Sequence, residues 1–242
     1  MTFARAWGAG SAPPVVLVPG FAISGDYLIP TAERLAAMFR VYAPDLPGFG
    51  RGDRPACALS VGDLAKALRA WIQVAGVPRP ALVANSFGCQ VAVELAARRP
   101  ESVRALVLSS PTIDPGLRSV VRQLVTWVRE MRTQSPQLRR IVRRDLLRAG
   151  PIRVARTLRH ALDDTLEDKL PSVEAPALVV RGTADPMVSR GWAWQVSRLL
   201  PRGRFAEIAG APHAMVHDAP DAFVEAVLPF LHDHLVVSSS RK

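Results

Sequence analysis

Short apolar runs alternate with helix-period segments along most of this chain, and that alternation limits the folds it can adopt. The runs include VVLV at 15–18, ALVA at 81–84, VRALVLSS at 103–110 and PALVVRG at 176–182. They lack the alternation of apolar and polar residues that is typical of a sheet with one solvent-exposed face, so we expect strands buried on both faces. Helical segments between such strands are typical of a parallel sheet covered on both sides. The chain is therefore predicted to have an α/β fold built on a mostly parallel, doubly wound sheet.

Residues 112–174 interrupt the alternation, because they carry helix periodicity and no strand pattern. In GLRSVVRQLVTWVREMR, at 116–132, apolar side chains recur on one helical stripe: Leu117, Val120, Val121, Leu124, Val128 and Met131. An insertion at the carboxyl ends of the strands would lie over the ligand crevice of an open α/β sheet. We therefore predict a helical cap at 112–174, inserted between the two parts of a core domain at 1–111 and 175–242.

A serine follows the run ALVA in the turn NSFG, directly before a helical pattern. A strand–turn–helix with small residues two positions before and after a serine is typical of a nucleophile elbow. Gly88 and Ala84 meet that need around Ser86, although alanine adds a methyl group where glycine is usual. A serine in such a turn is also commonly just a helix cap. Cys89 is a second nucleophilic side chain here, but its place beyond the turn favours packing against the sheet.

An acid and a base follow later strands. Asp185 comes directly after PALVVRG, and His213 comes after the run GRFAEIAG at 203–210. A serine hydroxyl needs a base to activate it, and the base needs a carboxylate to orient it. Asp114, shortly after VRALVLSS, is the alternative acid. His217 lies four residues after His213, but the glutamate of an H-E-x-x-H zinc motif is missing between them.

Taken together, these segments resemble the α/β-hydrolase family of serine hydrolases. The resemblance extends over nearly the whole chain and rests on five segments in family order, namely VLVPGFAISGDY, YAPDLPGFGRGDRP, VANSFGCQVAVELAARRPESVRALVLSSP, VVRGTADPMV and IAGAPHAMVHDAPDAF. It implies that Ser86 is the nucleophile, His213 the general base and then acid, and Asp185 the group that orients His213. It also implies an oxyanion hole made by the amides of Phe21 and Phe87, and chemistry without a metal or cofactor. The loop at Phe21 reads Pro-Gly-Phe where the family usually has His-Gly-x.

The resemblance further implies attack on a carbonyl, with carboxylic ester hydrolysis as the expected reaction. Related epoxide hydrolases and haloalkane dehalogenases use an aspartate nucleophile, which Ser86 replaces here. Carbon–carbon hydrolysis of ring-cleavage diketones stays open, because the turn at Asn85 resembles that family's elbow, although Ala214 stands where tryptophan is usual. Thioesterase or acyltransferase activity and a ligand-binding receptor stay open as well. The residues expected to bind substrate are Asn85, Leu124, Trp127, Val128 and Met131.

The formal charge of +10 at pH 7 is carried almost wholly by arginine. No nucleic-acid motif or aromatic-interleaved basic patch accompanies it, so we expect no nucleic-acid partner. The partner that the resemblance implies is a small acyl substrate. Docking of a basic cap on an anionic membrane stays open. No apolar run approaches the ~20 residues that a membrane span needs. The first residues lack the apolar core of a secretory signal and two cysteines make no disulfide framework, so the expected location is the cytoplasm.

Overall fold

A computed structural model describes residues 3–236 of the chain, and the ends of the predicted core at 1–2 and 237–242 lie outside that range. Seven strands form one sheet in the order β1-β3-β2-β4-β5-β6-β7. All neighbouring pairs are parallel except β1 with β3. The strands are β1 Ala4–Trp7, β2 Pro14–Val18, β3 Arg40–Pro44, β4 Ala81–Asn85, β5 Ala105–Ser109, β6 Ala177–Gly182 and β7 Gly203–Ile208. The predicted α/β fold with a mostly parallel sheet is confirmed.

The side chains of β2 show why apolar runs predict this sheet. Val15 and Leu17 pack into the core on one face, and Val16 and Val18 pack into the core on the other. Because successive side chains of a strand point to opposite faces, a strand covered on both sides must be apolar throughout. Strand β1 escaped prediction, since ARAW is only four residues long, contains an arginine and is only partly buried at the edge of the sheet.

Helices cover both faces of the sheet. On one face, α1 (Ile29–Leu35) and α10 (Pro220–Leu235) pack with the short α9 (Met215–Asp218). On the other face lie α2 (Val61–Val74), α3 (Phe87–Arg98) and α8 (Arg190–Leu199). Serine hydroxyls cap two of them, since Ser60 accepts from Asp63 N and Ser189 accepts from Trp192 N. None of the helices within 3–236 has the length and apolar character that crossing a bilayer requires.

Four helices stand between β5 and β6, inside the segment predicted as a cap: α4 Val120–Thr133, α5 Pro136–Ala149, α6 Pro151–Asp163 and α7 Leu166–Lys169. Helix α4 is turned differently from what its apolar stripe suggests. Its buried side chains are Gln123, Thr126 and Glu130. Its aliphatic residues are instead exposed, at 72% for Val121, 58% for Leu124 and 41% for Val128. The periodicity identified an apolar face correctly, but Val121, Val125 and Val128 on it point to solvent.

Candidate active site

Ser86 occupies the turn between β4 and α3 in a strained backbone conformation, with φ 56° and ψ −125°. A non-glycine residue at positive φ costs about 1–3 kcal/mol, which the surrounding structure must offset. The Ser86 amide donates to Ser109 O of the neighbouring strand at 2.9 Å. The turn therefore holds the serine at the carboxyl end of the sheet, beside the neighbouring strand and at the start of α3.

The two small residues around Ser86 tolerate different amounts of crowding. A Cβ on Gly88 would lie 2.5 Å from Val18 O and 2.6 Å from Pro19 O, so the elbow requires glycine there. Ala84 is fully buried and accommodated within the core between β2 and β5. The alanine in place of the usual first glycine is thus compatible with the turn.

Ser86, His213 and Asp185 are brought together from three separate loops. The Ser86 Oγ lies 2.9 Å from His213 Nε2, and His213 Nδ1 lies 2.9 Å from Asp185 Oδ2. The other carboxylate oxygen, Asp185 Oδ1, accepts from the amides of Met187 at 2.7 Å and Val188 at 3.1 Å. These hydrogen bonds from backbone amides fix the Asp185 carboxylate, which in turn orients the His213 imidazole toward Ser86. This is the geometry of a nucleophile, a base and an orienting acid.

His213 and Asp185 shift each other's pKa in the directions that favour an ion pair. Burial lowers the pKa of His213, but the adjacent Asp185 carboxylate outweighs burial, and the pKa lies above its usual value. Burial likewise raises the pKa of Asp185, yet His213 and the hydrogen bonds hold that pKa below its usual value. Asp185 therefore stabilises a positive charge on the imidazole, as a general base requires when it accepts a proton.

Asp114, the alternative acid, makes its hydrogen bonds to residues other than His213. Its Oδ2 accepts from the Ser189 hydroxyl at 2.5 Å, and its Oδ1 accepts from Gly116 N at 2.9 Å. These bonds join the segment between β5 and α4 to the start of α8. Of the two acids considered, Asp185 is the one in contact with His213.

Phe21 and Phe87, the expected oxyanion-hole residues, both line the cavity at Ser86. Phe87 is the first residue of α3, where backbone N–H groups lack intrahelical acceptors. The loop before Phe21 is fixed by a side chain that the sequence analysis missed. The Tyr27 hydroxyl accepts from Gly20 N at 2.8 Å and donates to Asn85 Oδ1 at 3.0 Å. Tyr27 thus connects the two turns that carry the candidate oxyanion donors.

Asn85 also lies at the cavity, but its amide group is engaged by the protein. Besides the bond from Tyr27, its Nδ2 donates to Ser109 O and to His213 O, both at 3.2 Å. The side chain therefore joins the elbow to β5 and to the histidine loop. Binding of substrate by Asn85 stays a prediction, and donation from its Nδ2 would require one of these two bonds to break.

A cavity of about 290 Å³ opens from Ser86 toward helices α4, α5 and α6. Leu124 and Trp127, two of the residues predicted to bind substrate, line it, and their binding role stays a prediction. Val128 and Met131 are outside the lining, because the rotation of α4 turns Val128 toward solvent and leaves Met131 only half-buried. The wall beyond the serine is aliphatic and comes mainly from α5 and α6, with Leu138, Val142, Leu146, Val154, Leu158 and Ala161.

Glu130 is a second residue that the sequence analysis passed over. Only 1% of it is exposed, and its Oε1 accepts from Ala214 N, next to His213, at 3.3 Å. Burial raises the pKa of Glu130, while the nearby His213 opposes that shift. Its signal in the sequence was a lone acid on an arginine-rich helix, and nothing in that pattern shows that it reaches the histidine loop.

Cys89 and His217, the remaining candidates, make contacts that favour a packing role over a catalytic one. Cys89 is fully buried with its Sγ near Ala84 O, and burial raises the pKa of the thiol well above its usual value, the opposite of an activated cysteine. His217 makes a bond of 2.9 Å between its Nδ1 and Tyr27 O. Over the part of the chain that the structure describes, no group of three or more His, Cys, Asp or Glu side chains is placed to hold a metal ion.

Comparisons with known proteins place this geometry in context. The polyketide synthase ThaQ of Burkholderia thailandensis is 32% identical over 93% of this chain, which spans only 12% of that synthase. The pimeloyl-[acyl-carrier protein] methyl ester esterase of Edwardsiella ictaluri is 29% identical over 92% of this chain and 94% of its own length.

A solved structure of a thermophilic esterase from Thermogutta terrifontis superposes with a TM-score of 0.82, covering 97% of this chain and 94% of that one at 22% identity. At that identity the likeness shows the shared fold alone. The family model of the alpha/beta hydrolase fold matches residues 13–162, more than half of the sequence. The chain therefore belongs to the alpha/beta hydrolase family.

Proposed function

We propose that this protein is a serine hydrolase that cleaves carboxylic esters through an acyl-enzyme. The observation that carries the proposal is the pair of 2.9 Å contacts running from Ser86 Oγ through His213 to Asp185. Beside these three residues lie two candidate oxyanion donors and an aliphatic cavity. The three features together (the hydrogen-bonded residues, the oxyanion donors and the cavity) suit acyl transfer, for which none of them alone would be sufficient.

In the first half-reaction, His213 Nε2 takes the proton from Ser86 Oγ as that oxygen attacks the ester carbonyl carbon. The carbonyl π electrons move onto the oxygen, where the amides of Phe21 and Phe87 stabilise the negative charge. When the tetrahedral intermediate collapses, the bond to the alkoxy oxygen breaks. The imidazolium gives its proton to that oxygen, and the alcohol leaves with the acyl group bound to Ser86.

In the second half-reaction, His213 removes a proton from water as the water oxygen attacks the acyl carbon. Collapse of the second intermediate breaks the bond to Ser86 Oγ, which recovers a proton from His213. A carboxylic acid is released and the enzyme returns to its starting state. Asp185 stays ionised throughout and stabilises the imidazolium formed in each half-reaction.

The aliphatic wall supports an acyl or alkoxy chain as the part of the substrate held beyond Ser86. The name of the Edwardsiella relative, a methyl ester esterase, agrees with an ester as the substrate class. Carbon–carbon hydrolysis has less support, since the Asn85 amide that would recognise a polar diketone is engaged by Tyr27, Ser109 and His213.

A fluorophosphonate probe and a substrate panel test the proposal. The probe should label Ser86 in the wild-type protein, and Ser86→Ala should abolish both labelling and turnover. The panel contains p-nitrophenyl esters of increasing acyl length, matched acyl thioesters and a dienol-diketone acid. Turnover of the oxygen esters above the other two groups supports the esterase. Labelling at another residue, or turnover that survives Ser86→Ala, would contradict it, and tight binding without turnover would indicate a receptor.

A further inference from the structure

Helix α4 presents an apolar surface to solvent. Its exposed aliphatic side chains are Val121 at 72%, Leu124 at 58%, Val125 at 47% and Val128 at 41%. We call this surface, together with Arg122, Arg129 and Arg132, the outer face of α4. A surface helix of a globular protein normally directs its apolar stripe toward the core. On α4 the polarity is reversed, and the aliphatic stripe is left without cover.

The inner side of α4 explains the reversal. Gln123 Nε2 donates to Leu117 O at 3.0 Å, and the Thr126 hydroxyl bonds to the Arg122 and Gln123 carbonyls. Glu130 accepts from Ala214 N in the histidine loop. The Thr126 bonds lie within the helix, but rotating α4 to bury its valines would break the bonds that Gln123 and Glu130 make to residues outside it. Exposed apolar surface of this kind marks a site of interaction.

The arginines on the outer face restrict what can cover it. Arg129 follows Val125 by four residues and Arg132 follows Val128 by four, so each guanidinium lies beside an exposed valine. If two copies met face to face about a two-fold axis, the same patch of each would form the interface, and arginines from both copies would be brought into it. The charges therefore disfavour self-association and suit a negatively charged partner.

The cavity opens at the same surface. Val120 and Leu124 line it, and both are more than half exposed, so they stand at its mouth. An interfacial helix combines an aliphatic side with arginines that bind anionic headgroups. We propose that the outer face of α4 docks on an anionic lipid surface, with the mouth of the cavity against that surface. The docking does not depend on the proposed ester hydrolysis, although the two together would admit a lipid-soluble ester directly to Ser86.

Co-sedimentation with vesicles tests the docking. The protein should bind vesicles of phosphatidylglycerol and phosphatidylcholine, and bind phosphatidylcholine vesicles at least tenfold more weakly. Binding should weaken as salt is raised, because the Debye length falls from about 10 Å at 0.1 M to about 3 Å at 1 M. Ser86→Ala should bind as well as the wild type, so loss of activity and loss of docking can be told apart.

Matched variants identify the surface responsible. The double variant Val121→Gln with Val125→Gln removes two exposed valines outside the cavity lining and should weaken vesicle binding about tenfold. The control Leu147→Gln changes an equally exposed residue of α5, 74% exposed, and should bind normally. Arg129→Gln with Arg132→Gln should also weaken binding. The same charge change at Arg198 and Arg202, outside the cap, should have a much smaller effect.

Absence of binding to the anionic vesicles at low salt would overturn the proposal. So would wild-type binding by the Val121→Gln and Val125→Gln variant while its circular dichroism and Tm match the wild type. Light scattering adds a third outcome. Concentration-dependent dimers that disappear in the valine variant, without vesicle binding, would assign the outer face to a second copy of the chain instead.

Discussion

Glu130 Oε1 accepts a hydrogen bond from Ala214 N at 3.3 Å, joining helix α4 to the residue that follows His213. The carboxyl is almost fully buried, and together with Asp185 it is a charged group that acts on the imidazole. We therefore expect Glu130 to be a positioning residue. It would hold the histidine loop through its bond and raise the pKa of His213 through its negative charge.

Glu130→Gln should separate these two effects. The amide keeps an oxygen acceptor for Ala214 N but loses the charge, so the pKa of His213 should fall. Activity needs neutral His213 and rises with pH through that pKa, so the acidic limb of kcat/KM should move to lower pH. The pH–rate profile measures this, with Glu225→Gln on the exposed side of α10 as the control. An unchanged limb would show that the charge of Glu130 does not reach His213.

Asp185→Asn should have a larger effect on the same profile. Burial and the loss of the carboxylate both lower the pKa of His213, so the acidic limb should again move to lower pH. Loss of imidazolium stabilisation and of the correct tautomer should reduce kcat by about 10⁴-fold. Asp114→Asn is the comparison, because that acid contacts Ser189 and Gly116 instead of His213. A greater loss of kcat in Asp114→Asn at equal stability would reverse the assignment of the acid.

Tyr27→Phe should slow turnover without weakening substrate binding. The change leaves Gly20 N and Asn85 Oδ1 without their buried partner, at a cost of about 1–3 kcal/mol for each unsatisfied group. The loop before Phe21 should then lose its fixed position, so kcat should fall while KM stays nearly constant. Steady-state kinetics and Tm measure both effects. Tyr42→Phe is the matched control, since the Tyr42 hydroxyl contacts Arg40 far from the cavity; equal kinetic effects in both variants would refute the positioning role.

Gly88→Ala should destabilise the elbow. The added Cβ would lie within 2.6 Å of two backbone oxygens, Val18 O and Pro19 O, which cannot rotate away. Overpacking of this kind costs about 1–3 kcal/mol of unfolding free energy, and each kcal/mol lowers Tm by about 2–4 °C in a chain of this size. Gly191→Ala, with nothing within 4 Å of its Cβ, should leave Tm unchanged or raise it. Equal Tm values for Gly88→Ala and the wild type would contradict the close approach at the elbow.

Leu146→Phe should shorten the acyl chains that the protein accepts. Leu146 belongs to the aliphatic wall, and a larger ring there reduces the space beyond Ser86. We expect kcat/KM for the longest accepted p-nitrophenyl ester to fall at least about tenfold, as loss of pocket space for a methylene or more implies, with acetate unaffected. The adjacent Leu147 is 74% exposed, so Leu147→Phe provides the control. A uniform loss across all chain lengths would instead indicate general disruption.

Much of the fold and of the candidate triad was predictable from residue order. Runs such as VVLV predicted buried parallel strands, because a strand covered on both faces has no polar side. The carboxyl ends of parallel strands meet at one edge of the sheet, so Ser86, Asp185 and His213, each just after a strand, were expected to converge. Their roles stay a prediction, and the contacts of 2.9 Å between them agree with it.

Other features depended on how distant segments pack. The stripe of α4 was visible in the sequence, but periodicity says only that a helix has an apolar side and not what that side faces. Val128 therefore turned out to be solvent-exposed, and Glu130 to lie under the histidine loop. Tyr27 likewise bonds to Asn85 across 58 residues of chain. The sequence by itself determined the parallel part of the sheet, the order of its strands along the chain and the three candidate catalytic positions, because local periodicity and strand order encode them. Only the tertiary structure decided the rotation of α4 and the contacts of Tyr27 and Glu130, because these depend on hydrogen bonds between residues far apart in the chain.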